Sequence, residues 1–144
     1  MKKTFIIFSF LLLLSCSKDK FNNNNPNLPN YQFSMDVDTN LPLYTIVTNP
    51  GNGIRVYPAN GPSRGVIIFN TGTGYKAYDG SCPNHGSTST CSALTLNGGG
   101  TTTCACNTTT NEIFNLFTGL APNVQYPLKE YRTETIGNVI RVYN

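Results

Sequence analysis

Short runs in which apolar and polar residues alternate recur along the chain, and clusters of Gly, Pro and Asn separate them. The first run, residues 31–37, places Tyr, Phe, Met and Val at every second position, the period of a strand with one buried face. No run predicts a helix longer than about a turn. The runs predict eight to ten short strands, at 31–37, 43–48, 53–57, 66–69, 75–78, 94–96, 101–103, 114–117, 131–135 and 139–143.

Turn residues between neighbouring runs predict three hairpins. Residues 71–74 (Thr-Gly-Thr-Gly) lie between the fourth and fifth runs, and residues 97–100 (Asn-Gly-Gly-Gly) between the sixth and seventh. The last two runs are separated by Gly137-Asn138, a pair that suits a two-residue turn between antiparallel strands. The pattern therefore predicts an all-β fold, a small antiparallel barrel or stacked sheets.

The first fifteen residues have the features of a signal peptide. Lys2 and Lys3 precede an apolar run over residues 5–14, which is shorter than the roughly 20 residues of a membrane-spanning helix. The sequence Leu-Leu-Ser-Cys at 13–16 resembles the bacterial lipobox. That resemblance implies cleavage before Cys16 and a lipid on its sulfur, which would anchor the mature protein to a membrane.

The rest of the chain divides into a tether and one domain. Residues 16–30 are rich in Asn and Pro and lack an apolar face, so they predict a lipidated tether, followed by a domain over 31–144. That length of about 115 residues allows one hydrophobic core. Ser17 does not resemble an inner-membrane retention signal, so we expect a lipid-anchored protein of the bacterial cell envelope, in the outer membrane.

Composition and charge narrow the possible partners. The formal charge is +3, and without Lys2 and Lys3 of the signal peptide it is 3 − 2 = +1. A nearly neutral domain does not fit a nucleic-acid-binding protein, which needs a basic face to match the phosphates. Asn, Thr, Ser, Gly and Pro dominate the polar residues, and this composition favours turns and strands over helices.

Two predicted loops contain all the cysteines of the predicted domain. Cys82, His85 and Cys91 lie in the first loop, and Cys104 and Cys106 lie in the second. His85 is the only histidine of the chain. Each loop follows a predicted strand and a hairpin joins them, so the two loops can face each other.

These loops and their flanking strands resemble the Rieske [2Fe-2S] proteins, whose loops carry Cys-x-His and Cys-x-x-His. The similarity extends over about residues 42–144. It includes Gly-Val-Ile-Ile-Phe at 65–69 and Tyr-Lys-Ala-Tyr-Asp at 75–79, before the first loop. Phe-Asn-Leu-Phe-Thr-Gly at 114–119 and Tyr-Pro-Leu-Lys at 126–129 follow the second. The resemblance implies a Rieske-like β domain with a two-loop tip at 81–91 and 104–113. In the family, two cysteines hold one iron and two histidines the other.

The tip departs from the family pattern at both histidine positions. Asn84 stands where the first histidine is expected, with His85 one residue late, and Asn107 stands at the second position. Neutral amides are poor ligands for cluster iron. A [2Fe-2S] cluster would therefore need an unusual ligand set, with Cys82, His85, Cys104 and Cys106 as the candidates. The same four residues could instead hold a tetrahedral zinc ion.

The other interpretation of the cysteines is two disulfides. Four cysteines remain after lipidation of Cys16, an even number that suits an oxidising compartment and allows three pairings. Cys104 and Cys106 are too close to pair easily, which leaves bonds between the loops. Among these, Cys91–Cys106 together with Cys82–Cys104 is the pairing that the Rieske resemblance implies.

The predicted function is that of a membrane-tethered Rieske-like lipoprotein whose degenerate cluster site is stapled by disulfides. We expect a binding or structural module rather than an enzyme, because no carboxylate pair or Ser-His-Asp arrangement suggests catalysis. The alternative is a [2Fe-2S] one-electron carrier or redox sensor with an unusual ligand set. The lipid would make the membrane one partner, and the sequence does not specify a protein or redox partner.

Overall fold

A computed structural model of the chain describes residues 23–106 and 112–144. Within these residues the protein is all-β, as predicted, with nine strands and one short 3-10 helix. The strands are β1 (Ser34–Asp38), β2 (Gly53–Val56), β3 (Val66–Asn70), β4 (Tyr75–Asp79), β5 (Thr95–Gly98), β6 (Thr101–Cys104), β7 (Glu112–Asn115), β8 (Glu130–Ile136) and β9 (Val139–Tyr143).

The strands form two antiparallel sheets. The larger sheet is curled and has the order β1-β9-β8-β4-β3-β2, and the smaller has the order β5-β6-β7. All three predicted hairpins are confirmed: β3 pairs with β4, β5 with β6, and β8 with β9. In the last hairpin Ile136 pairs with Val139, so Gly137 and Asn138 form the whole turn, and Gly137 has a φ of 59°.

Strand β3 lies between two hydrophobic clusters, and all five of its residues are buried. Val66 and Ile68 pack into a cluster with residues of β1, β2, β8 and β9, while Ile67 and Phe69 face a second cluster. The second cluster contains Phe114 and residues of both cysteine loops. Burial on both faces explains why Val66–Phe69 is continuously apolar, whereas strands with one wet face alternate. The smaller sheet thus covers one face of the larger one.

The predicted strand at 43–48 is wrong. Residues Thr45–Thr48 form a 3-10 helix, in which only Val47 is buried. The turn begins where the backbone N–H groups of Tyr44 and Thr45 both donate to the Leu41 carbonyl. The Thr45 hydroxyl donates to that carbonyl too, at 3.1 Å. Threonine is common in strands, but here its hydroxyl stabilises a turn by bonding a nearby carbonyl.

Residues 23–30, the last part of the predicted tether, pack on the domain. Leu28 is buried, and so is Asn25. The side-chain amides of Asn25 and Asn27 both donate to the Pro83 carbonyl, at 3.0 and 2.9 Å. The ammonium of Lys129 donates to the Pro29 carbonyl at 2.9 Å. Asparagine side chains make most of these contacts, which a search for apolar periodicity does not detect.

The predicted signal peptide at 1–15, the predicted lipidation site Cys16 and the first part of the predicted tether lie outside the described residues. In the part of the chain that the structure describes, no helix has the length and apolar character needed to cross a membrane.

Candidate functional site

The cysteine loops meet at one end of the two sheets. The first loop follows β4 and returns through a bridge between Ser81 and Ala93, while Cys104 is the last residue of β6. The Cys82 backbone N–H donates to the Ser92 carbonyl at 2.7 Å, which closes the base of the first loop. The predicted two-loop tip is present, although 107–111 of its second loop lie outside the described residues and Glu112 already belongs to β7.

Two disulfides join the loops, in the pairing that the resemblance implies. The inner disulfide joins Cys82 and Cys104, both fully buried, across a Cα–Cα distance of 5.5 Å. The outer disulfide joins Cys91 to Cys106 across 5.0 Å, and Cys91 is exposed. Each closes a loop of moderate length, a constraint that typically stabilises a small domain by about 2–4 kcal/mol.

Asn84 has a structural role at the position where the family has a histidine. Its carboxamide oxygen accepts from the Tyr126 backbone N–H at 2.8 Å, and its nitrogen donates to the Tyr126 carbonyl at 3.1 Å. The same nitrogen lies 3.3 Å from Glu112 Oε2. An amide can donate and accept at once, so Asn84 fastens the first loop to the segment before β8.

His85 points toward Glu112, a residue that the sequence did not single out. Its Nε2 lies 3.5 Å from Glu112 Oε1, within ion-pair distance. This nitrogen is shielded from solvent, yet it makes no hydrogen bond with the described residues. Glu112 pairs with Cys104 across β6 and β7, which places its carboxylate beside the inner disulfide. Only the strand register reveals this proximity.

The structure brings the predicted metal-ligating residues together. The sulfurs of Cys82, Cys104 and Cys106 lie within 4.8 Å of one another. A second group, with ligand atoms equally close, consists of His85, Cys104 and Glu112. The four-residue ligand set predicted from the sequence is divided between these two groups, which share Cys104. Its three sulfurs are all in disulfides and cannot act as thiolates in this state.

These residues do not fit a Rieske-type [2Fe-2S] cluster in the disulfide form. Such a cluster needs two thiolates on one iron and two imidazoles on the other. Cys82 and Cys104 are bonded to each other, and Asn84 uses its amide in backbone hydrogen bonds. Asn107, at the other histidine position, lies outside the described residues.

Arg55 supports the base of the first loop from strand β2. Its guanidinium donates to the carbonyls of Arg64, Gly80 and Leu94, which lie on three separate segments. Burial lowers the pKa of this guanidinium from its usual value. Several carbonyl acceptors around one buried cation compensate for its lost hydration. The sequence did not mark Arg55, because no local motif identifies a side chain that bridges distant loops.

Asp79 is a buried carboxylate at the start of the same loop. Its Oδ1 accepts from the Ser81 backbone N–H at 2.9 Å, and its Oδ2 accepts from the Tyr131 hydroxyl at 2.8 Å. Burial is the largest influence and raises the pKa of Asp79, against the opposing effect of these hydrogen bonds. By accepting from the Ser81 N–H, Asp79 fixes the position of the backbone one residue before Cys82.

A cavity of about 270 Å³ lies beside the tip, between residues 23–25 and the segment 126–130. Tyr78, Tyr126, Lys129 and Glu130 are among the residues that line it, although Tyr78 is itself fully buried. Both charged groups have partners, since Lys129 donates to the Pro29 carbonyl and Glu130 pairs with Lys76 at 3.1 Å. The cavity thus combines aromatic and amide groups with charges that are already compensated.

Comparisons with known proteins give no assignment: no protein-family model matches the chain, and no curated protein is significantly similar to it.

Proposed function

We propose that this protein is a lipid-anchored cell-envelope protein whose Rieske-like domain acts as a binding or structural module without a cluster. The observation that carries the proposal is the buried Cys82–Cys104 disulfide. In the family that the chain resembles, the cysteines at these two positions are the thiolate ligands of one iron. Joining them replaces the metal with a covalent bond, which keeps the two loops together without iron.

Asn84 supports the same proposal. A histidine at this position would have to give up the paired backbone hydrogen bonds to Tyr126, because imidazole cannot reproduce the donor and acceptor geometry of an amide. The tip is thus built around the amide. A scaffold fixed by two disulfides and an Asn bridge suits a rigid surface for binding.

The cavity beside the tip is where we place binding. Its Lys129 and Glu130 are already paired, so it favours a neutral ligand that stacks on the half-buried Tyr126. A small polyhydroxylated molecule has this chemistry. Thermal-shift screening with neutral sugars should find ligands that lose their effect in a Tyr126→Ala variant but keep it in Tyr57→Ala, whose exposed ring lies outside the cavity.

Optical spectroscopy and thiol titration test the absence of a cluster. Full-length protein, purified anaerobically without a metal-binding tag, should be colourless and contain no stoichiometric iron. After denaturation it should show no free thiol from the four tip cysteines. A red-brown protein with two irons per chain would refute the proposal and favour the alternative, a one-electron carrier or redox sensor with an unusual ligand set.

A further inference from the structure

The geometry points to a second state of the tip: we propose that reduction of the Cys82–Cys104 disulfide opens a mononuclear site for a zinc-like divalent cation, with Cys104, His85 and Glu112 as ligands. This site goes beyond the function proposed above, since it needs neither the lipid, the cavity nor a cluster. It also differs from the ligand set predicted from the sequence, because it includes a carboxylate.

The three ligand atoms are close enough for one small cation. They lie within 4.8 Å of one another, and His85 Nε2 is 3.5 Å from Glu112 Oε1. Ligand atoms bound to tetrahedral zinc at about 2.0–2.3 Å are roughly 3.5 Å apart. The nitrogen and oxygen therefore already have the required separation, and the sulfur needs a shift of about 1 Å at most.

The imidazole of His85 is available for coordination. Its Nε2 is shielded from water and makes no hydrogen bond with the described residues. A buried polar atom without a hydrogen bond is unfavourable and calls for an explanation. A metal ion between Nε2 and the carboxylate would give this nitrogen a partner.

Asn84 orients the carboxylate ligand. It lies 3.3 Å from Glu112 Oε2 and donates to it, whereas Oε1 is the oxygen that faces His85. The Glu112 side chain is only 15% exposed, which limits competition from water. A hydrogen bond to the outer oxygen of a ligating carboxylate is a common second-layer arrangement around metals. Asn84 thus acts as a positioning residue.

Reduction supplies the third ligand. A dithiol of the thiol–disulfide oxidoreductase class would transfer two electrons and two protons to the Cys82–Cys104 bond. That bond breaks, Cys82 and Cys104 become thiols, and the dithiol becomes a disulfide. The cation then displaces the Cys104 proton to form the metal–thiolate bond. The Cys82 sulfur, which the same reduction frees, lies within 4.8 Å of Cys104 and can provide the fourth ligand.

Cobalt(II) is the probe, because its thiolate complexes have charge-transfer bands and its tetrahedral complexes have strong ligand-field bands. Full-length protein in detergent is titrated with Co²⁺ before and after reduction with a phosphine, which adds no thiol. Only the reduced protein should bind one Co²⁺ per chain with both signals, and Zn²⁺ should displace it. Glu112→Gln and His85→Gln should each weaken binding at least about tenfold, the smallest loss expected from changes around a metal site.

Glu134→Gln is the matched control, since Glu134 is exposed on β8 and away from the tip. It should bind Co²⁺ like the unmodified protein. Cys82→Ser gives a second route, because it frees Cys104 while leaving the outer disulfide in place. This variant should bind Co²⁺ without reductant.

Several results would overturn the proposal. Equal Co²⁺ binding by the oxidised protein would show that reduction is not the trigger. Unchanged affinity in Glu112→Gln or His85→Gln would exclude these residues as ligands. Absence of binding in both the reduced protein and Cys82→Ser would exclude the site, and so would loss of the β-sheet circular-dichroism signal in both, since the site requires a folded tip. The function proposed above would be unaffected by any of these results.

Discussion

At the scale of single residues, the most unusual group is the buried carboxyl of Asp79. It is 1% exposed and is held by the Ser81 backbone N–H and the Tyr131 hydroxyl. Lys129 lies near enough to favour its charged form, yet burial outweighs these effects and raises the pKa of Asp79 above the usual 3.8. A raised pKa means that the folded protein holds this proton more tightly than the unfolded chain does.

We therefore predict a pH-dependent contribution of Asp79 to stability. The contribution is fully present below the unfolded pKa near 3.8 and is lost as the pH rises through the raised folded pKa. In Asp79→Asn this dependence should disappear, while an amide can still accept from Ser81 and pair with Tyr131. Urea unfolding of both proteins between pH 3 and 8 measures it. If the difference in free energy of unfolding between the parent protein and Asp79→Asn stays constant over this pH range, the prediction is contradicted.

The residues of the tip show what a sequence can predict about a site. The four tip cysteines, His85 and the departure at Asn84 are visible because unusual residues stand at characteristic spacings. Glu112 is not visible, because its relation to Cys104 is created by the pairing of β6 with β7. Arg55 is missed for the same reason, since its three carbonyl partners meet only after folding.

At the scale of elements, the hairpins were predictable and the irregular segments were not. Gly137-Asn138 and the repeated glycines at 98–100 determine turns locally, since these glycines have positive φ. Residues 43–48 have equally strong strand propensity, but the Leu41 carbonyl gathers three local hydrogen bonds there and the chain turns instead. Strand propensity determines the secondary structure of a segment only where no competing local hydrogen bond forms.

Gly80, between β4 and the first cysteine loop, allows close packing of three segments. A Cβ at this position would lie 2.7 Å from the Gly65 carbonyl oxygen and would also collide with the Arg64 carbonyl and the Arg55 guanidinium. Gly80→Ala should therefore destabilise the protein by about 1–3 kcal/mol, the usual cost of overpacking. Denaturant unfolding measures this loss.

Gly74 is the control for that substitution. It lies in the exposed turn between β3 and β4, and a Cβ there would have no neighbour within 4 Å. Gly74→Ala should change the free energy of unfolding by less than about 0.5 kcal/mol. Equal effects of the two substitutions would show that the close contacts around Gly80 do not exclude a Cβ at this position.

The two loops should lose their disulfides in a fixed order. The outer pair is accessible because Cys91 is exposed, whereas Cys82 and Cys104 are fully buried. Thiol–disulfide exchange requires the attacking thiolate to reach a sulfur. Under limiting reductant, Cys91 and Cys106 should therefore be alkylated before Cys82 and Cys104. Fragmentation of the labelled peptides by tandem mass spectrometry identifies which cysteines are alkylated and so measures the order, and earlier or simultaneous labelling of Cys82 would contradict it.

At the scale of the whole molecule, the packed segment 23–30 affects how the domain relates to a membrane. Asn23 donates to the side chain of Asn144 at 2.7 Å, and Asn25 and Asn27 bind the Pro83 carbonyl at the tip. If Cys16 carries a lipid, seven residue steps separate it from Asn23, and an extended chain covers at most about 25 Å over that length. The start of the domain, and with it the tip, would then stay close to the membrane surface.

We predict that Cys16 is the lipid attachment site. Cys16→Ser removes the sulfur that would carry the lipid, so the variant should lose the mass of the acyl chains and its signal peptide should not be cut at residue 16. Several acyl chains are needed for stable anchoring, and their loss should therefore release or mislocalise the protein. Membrane fractionation and intact-mass measurement check both effects.

Ser17→Ala, which leaves the sulfur in place, should keep the lipidated mass and the membrane fraction. A Cys16→Ser protein with the same mature mass and the same membrane partition as the parent would exclude lipidation at this residue, and the domain would then need another means of attachment.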